Sequence, residues 1–262
     1  MIDPLASRVL FGLLFASGLA MAAHRARALT SDGAIAAAMV GAATVIGGWD
    51  WVIFLLFFFV TSSALSRWNA DVKHALVSST VEKGDRRDAI QVAANGAVFA
   101  IAALGSVLAP ASGWLALGAG AVATATADTW GTEIGLSWGG IPRQILTGAE
   151  LSPGASGGVT LVGTAGTILG AGAAAIVAWT LRWQVPAAAV FAGGVAGAFL
   201  DSLLGATVQE RRWCATCGKM TERRVHTCGA STERSGGIPG FGNDAVNLTS
   251  IVAGAVVTRM LS

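Results

Sequence analysis

The chain has 262 residues, 53% hydrophobic and 12% charged, with a formal net charge of +2. Soluble domains carry about 25% charged residues; that shortfall, with a mean hydropathy of +0.63, excludes an ordinary soluble domain and points to an integral membrane protein. So small a net charge, with no basic segment interleaved with aromatics, excludes nucleic acid as a partner.

In chain order the apolar runs predict eight spans, at 5–23, 33–48, 50–66, 88–109, 113–135, 157–181, 186–208 and 244–261. Leu10 to Met21 is apolar, and Ala20-Met-Ala22 resembles a signal-peptide cleavage site. Yet only Arg8 precedes it, and Arg25 and Arg27 follow closely, so the segment is read as a retained helix. The strongest run is Trp51 to Val60. The small residues of Gly166-xxx-Gly170 and Gly193-Gly194-xx-Gly197 predict close helix packing. The expected fold is all-α, one polytopic membrane domain over 1–262.

Charge fixes an orientation. Eight spans leave the connections 24–32, 67–87, 136–156 and 209–243 on one side. They carry Arg25 and Arg27; Arg67, Lys73, Lys83, Arg86 and Arg87; Arg143; and Arg211, Arg212, Lys219, Arg223, Arg224 and Arg234. The other side has Arg8, Arg182 and Arg259. The positive-inside rule then places those four connections in the cytoplasm and both termini outside.

The acids and amides gather on the same side. An acid inside a span costs roughly 2.5–3.5 kcal/mol, which makes Asp128 and Asp201 functional candidates. In Glu82-Lys-Gly-Asp-Arg-Arg-Asp-Ala-Ile-Gln-Val-Ala-Ala-Asn95, a helix would let Lys83, Arg86 and Arg87 share a face. Asp88, Gln91 and Asn95 would continue it as a polar stripe entering the membrane. Such a cluster suits a phosphorylated ligand, or is ordinary flanking charge. Near 201, Ser202, Gly205 and Gln209 share a face beside Asp201, which is a ligand group or pairs with an arginine for packing.

Asp128 and Glu133 lie five residues apart, about 140° around a helix, with Thr129 and Thr132 between them. They converge only if the helix breaks or bends near Gly131, and broken helices at membrane depth line polar cavities. The loop from Ser152 through Ser156, Gly157, Gly158 and Thr160 runs into a helix start. Its backbone N–H groups suit phosphate, or its small residues serve packing. Asn243, Asp244 and Asn247 open the last span as ligands, or with Asn243 as an N-cap. Together, acids without histidine or thiol suit Mg²⁺, and cations with amides suit phosphates. Phosphoryl transfer needs mainly those two things, and a site at the membrane surface implies a lipid substrate.

The insert at 209–243 is separate. Within 213–229, Cys214-x-x-Cys217 with His226-x-Cys228 supplies four ligands for a structural Zn²⁺, or is a set of reduced thiols.

The motifs Lys83-Gly-Asp-Arg-Arg with Gln91-Val-Ala-Ala-Asn95-Gly, Ala127-Asp-Thr-Trp-Gly-Thr-Glu-Ile-Gly135, Gly157 to Gly166, Gly197 to Gln209 and Asn243-Asp-Ala-Val-Asn247 occur in order over most of the chain. By them the chain resembles the integral membrane family of plant phytyl-phosphate kinase and animal transmembrane protein 19, domain of unknown function 92. The resemblance implies transfer of a phosphoryl group from a nucleoside triphosphate, CTP in the plant case, to an isoprenyl monophosphate. On it, Asp128, Glu133 and Asp201 are expected to hold Mg²⁺, and Lys83, Arg86 and Arg87 to bind phosphates. Gln91, Asn95, Asn243, Asp244 and Asn247 are expected to complete the cavity, and the apolar spans to hold the prenyl tail.

Overall fold

A computed structural model describes residues 4–81, 86–110 and 113–262. Each expected span falls on a long helix: α1 (Pro4–Arg25), α2 (Ser31–Gly47), α3 (Trp49–Arg67), α5 (Ala89–Leu108), α6 (Trp114–Trp138), α7 (Leu161–Thr180), α8 (Ala187–Thr207) and α9 (Asn243–Met260). Between α3 and α5 lies a helix that periodicity did not suggest, the eight-residue α4 (Ala70–Val77). Among the described residues four helices, α3, α5, α7 and α8, are long and apolar enough to cross a membrane by length and composition. Outward faces keep large apolar side chains such as Leu14, Ile101, Leu169 and Ile176 exposed. Exposed tryptophans sit at helix ends (Trp49, Trp68, Trp138 and Trp179), as in interfacial aromatic belts.

Local chemistry sets the helix ends. Thr30 accepts from the Gly33 N–H at α2 and Thr160 from the Gly163 N–H at α7, each as an N-cap. At α5, Asp88 and Gln91 form a capping box. Gly48 (φ +125°) ends α2 and starts α3 on one residue, a conformation that only glycine adopts without strain.

α6 is the central helix, packed by α3, α5, α7, α8 and α9. Its buried face, from Ala116 to Ala127, is almost wholly alanine, glycine and threonine. Backbones therefore approach closely. A Cβ on Gly170 would meet the Thr126 carbonyl at 2.9 Å, and one on Gly166 would meet that of Trp130 at 2.8 Å. Gly193 and Gly197 in turn face Thr258 of α9 and Thr124 of α6. The packing expected of both glycine motifs is thus in place. At one end of the bundle the core is aromatic: Trp183, between α7 and α8, lies 4.6 Å from Trp51 and 5.3 Å from Phe54, centroid to centroid.

At the opposite end the four basic connections meet. Arg87 N–H donates to Ala28 O, and Thr30 N–H to Arg87 O. The α6–α7 connection pairs β1 (Arg143–Gln144) with β2 (Gly158–Val159), antiparallel. The insert forms a three-stranded antiparallel sheet with β3 (Arg211–Cys214) between β4 (Lys219–Thr221) and β5 (Glu233–Gly236). It docks on the α4–α5 connection through Glu222 N–H to Thr80 O, Thr221 Oγ1 to Thr80 O, and Arg223 Nη1 to Val81 O.

Candidate active site

Where these connections meet, a cavity of about 920 Å³ opens, lined by α4 to α9, the glycine-rich loop and the insert. Among the described residues it gathers most of the sequence candidates. Gln91 and Asn95 come from α5; Asp128, Thr129, Thr132 and Glu133 from α6. Ser156, Gly157, Gly158 and Thr160 come from the loop, Asp201 and Ser202 from α8 with Gln209 just beyond it, and Asn243, Asp244 and Asn247 from α9. Arg87 lines it too. Lys83 lies outside the described residues.

Two candidates sit elsewhere. Arg86 donates through Nη2 and Nε to Leu29 O (2.7 and 3.2 Å), tying the α1–α2 turn to the start of α5. Asp88 is the α5 N-cap, accepting from Gln91 N–H at 2.8 Å. The expected cationic helix face does not form, because residues 86–88 precede the helix.

The expected break at Gly131 is also overturned. α6 runs unbroken from Trp114 to Trp138. Gly131 is small because α7 packs there: a Cβ would meet Thr167 Oγ1 at 2.2 Å. Asp128 and Glu133 consequently join different groups. Glu133 is ion-paired with Lys73 of α4, their side chains 18% and 6% exposed, and accepts from Ser66 Oγ at 2.5 Å. Lys73 also donates to Leu65 O at 2.7 Å. Arg87 lies within Coulombic reach of Glu133, with its guanidinium 5.8 Å from the centroid of the Phe58 ring.

The second group is acidic. Asp201 lies within Coulombic reach of Asp128 and of Glu222. Its Oδ2 accepts from Ser250 Oγ at 3.1 Å, so among the described residues a hydroxyl takes the place considered for an arginine. Glu222, from the insert, accepts from Gln209 Nε2 at 2.7 Å and from Ser156 Oγ.

The loop is partly self-satisfied. Gly158 N–H donates to Ala155 O and Gly163 N–H to Thr160 Oγ1, so those two donors, expected for phosphate, are engaged within the protein. Gly157 (φ +78°) lies against α8, where a Cβ would meet the Ala206 backbone at 2.6 Å. Packing and cavity lining coincide there. At α9 the N-cap is Gly242, so Asn243 is the first helical residue.

Sequence reasoning missed Lys73 and Glu222. Lys73 was counted as flanking charge, but α4 turns Val72 and Leu76 outward, 59% and 43% exposed, and buries the lysine. That apolar i, i+4 pair on a short charged segment was the available signal. Glu222 carried none, because its place depends on how the insert docks.

In the insert, ligand atoms of Cys214, Cys217, His226 and Cys228 all lie within 4.8 Å of one another. Cys214 Sγ and Cys228 Sγ are 3.7 Å apart. Two thiolates on a tetrahedral Zn²⁺ with bonds of about 2.3 Å are about 3.8 Å apart, so the set fits. The Ala230 backbone N–H, then the His226 ring, pull the Cys228 thiol down to about 6. Its hydrogen bond to Cys228 pushes Cys217 up to about 11.

The fold and site define a class: a helical integral membrane protein with a large polar cavity at one end of its bundle. Within that class, the chain belongs to the integral membrane protein family DUF92, whose model matches residues 14–255. It is 27% identical to Protein PGR of Arabidopsis thaliana, over 97% of this chain and 96% of that one. It is 29% identical to an uncharacterized membrane protein of Methanocaldococcus jannaschii, over 78% of this chain and 84% of the relative. No solved structure matches it.

Proposed function

We propose that the protein is a kinase that transfers the terminal phosphoryl group of CTP to an isoprenyl monophosphate of the phytyl or geranylgeranyl type. The diphosphate forms at the cytoplasmic membrane face, with eight spans and both termini outside. The observation that carries this reading is the pairing, in one cavity, of an acidic group (Asp128, Asp201, Glu222) with a cationic one (Lys73, Arg87).

Asp128 and Asp201, with the Thr129 hydroxyl beside them, are the hard oxygen donors that Mg²⁺ takes. When bound, Mg²⁺ supplies neutralisation of the phosphate charge. Glu133, expected as a third carboxylate for the metal, instead holds Lys73 in the cavity. Lys73 and Arg87 bind phosphate oxygens, and the amides of Gln91, Asn95, Asn243 and Asn247 orient them. An oxygen of the lipid phosphate attacks the terminal phosphorus of CTP. The bond from that phosphorus to the bridging oxygen breaks, and CDP leaves with the electron pair. The acceptor is already ionised, so no general base is needed. Cys214, Cys217, His226 and Cys228 hold a structural Zn²⁺ that stiffens the insert carrying Glu222.

The test is incubation of purified protein with labelled CTP and a panel of prenyl monophosphates. Label from the γ-phosphate is expected in the lipid. Label from the α-phosphate would instead establish a cytidylyltransferase, which joins CMP to a lipid phosphate, and label in neither position would end both readings. Asp128→Asn is expected to lower turnover by about 10²-fold or more while leaving folded protein in the membrane; near-normal turnover would remove Asp128 from the site.

A further inference from the structure

A second, apolar cavity of about 110 Å³ lies among α1, α2, α3 and α5. Its walls are hydrocarbon and aromatic, from residues such as Ala20, Val40, Phe58 and Val92. Arg87, Gln91 and Asn95 line this cavity and the polar one alike, so a single boundary of three polar residues joins the two spaces. Arg87 marks the junction chemically, since its guanidinium lies over Phe58, an apolar-cavity wall, and lies within Coulombic range of Glu133 in the polar one. At its other side the slot reaches the bundle surface, where Leu19 is 41% exposed.

An anionic group at a cation with a hydrocarbon slot directly behind it is the shape of an amphiphile. We propose that this slot receives the first segment of the lipid tail of a molecule whose phosphate lies at Arg87, an inference that rests on the prenyl-phosphate reading above. A cavity of about 150 Å³ holds a benzene ring, so this one takes about one five-carbon branched unit. The rest of the tail leaves past Leu19 into the bilayer. Selection therefore acts on the unit nearest the phosphate and only weakly on total chain length.

The experiment uses the full-length protein in lipid nanodiscs and geranylgeranyl monophosphate bearing a diazirine on the unit next to the phosphate. After photolysis, adducts are mapped by mass spectrometry. They are expected on the slot walls of α1, α2, α3 and α5, displaced by unlabelled geranylgeranyl monophosphate at concentrations at least tenfold lower than by the neutral alcohol. Ala20→Phe, which fills the slot, is expected to cut adduct yield at least tenfold, and the milder Val40→Leu by a smaller factor. Adducts confined to other helices, or equal displacement by the alcohol, would overturn the proposal. Slot adducts without CTP-dependent turnover would uphold the slot and defeat the kinase reading, whereas turnover with adducts elsewhere would do the reverse.

Discussion

Lys73 and Glu133 form the most enclosed ion pair among the described residues. Removing one partner strands the other charge in a poorly solvated place, which costs about 3–5 kcal/mol, whereas removing both leaves no orphan. Glu133→Gln and Lys73→Met are each expected to lower the thermal midpoint in detergent, and the double variant to recover most of the loss. Additive losses would show that the two groups act independently. Single acids such as Asp128 and Asp201 were legible in the sequence because a charge in an apolar run has no cheap structural explanation. Lys73 was not, since a lysine outside the spans reads as solvated until a short helix turns it inward.

For the helices, glycine is the informative residue and the ambiguous one. Gly131 was read as a break or bend; the helix does not break there, and the glycine is a point of close approach. Both demand a missing side chain, and only the neighbour, here Thr167, tells them apart. The same logic holds where α6, α8 and α9 cross. A Cβ on Gly254 would meet Thr124 Oγ1 at 2.0 Å, and one on Gly193 would meet Thr258 Oγ1 at the same distance. Gly254→Val is expected to cost about 1–3 kcal/mol through overpacking. Gly172→Ala, where a Cβ meets nothing within 4 Å, is expected to be neutral or to stabilise by about 0.5–1 kcal/mol. Thermal melts of both variants in one detergent provide the comparison; equal effects would contradict the interlock.

Across the whole molecule, the helix order followed from hydropathy, and the meeting of the four basic connections at one end agrees with the charge count. The insert's docking surface was not legible, because hydrogen bonds to the backbone at 78–81 have no side-chain signature there. All three cysteines lie in that insert. A membrane-impermeant maleimide is therefore expected to label the chelator-treated protein in opened cells but not in intact ones; labelling in intact cells would invert the proposed orientation. Zinc analysis is expected to give one ion per chain. Its removal is expected to speed hydrogen exchange at 78–81, about tenfold or more if local opening there becomes easier by about 1.4 kcal/mol. Unchanged exchange would separate the insert's metal from the cavity wall.

The aromatic end of the bundle has an electrical consequence. Trp51, Phe54, Phe99 and Trp183 fill the core there, so in the proposed reaction the charged reactants would enter and leave by the polar mouth. Their charges then cross little of the transmembrane field. A carrier that moved one net charge across would feel about 2.3 kcal/mol per 100 mV. Turnover in sealed vesicles is accordingly expected to stay within about twofold when a potential of about 100 mV of either sign is imposed. A voltage-indifferent rate is what a single polar entrance for charge produces, and it separates chemistry at a membrane from transport through one.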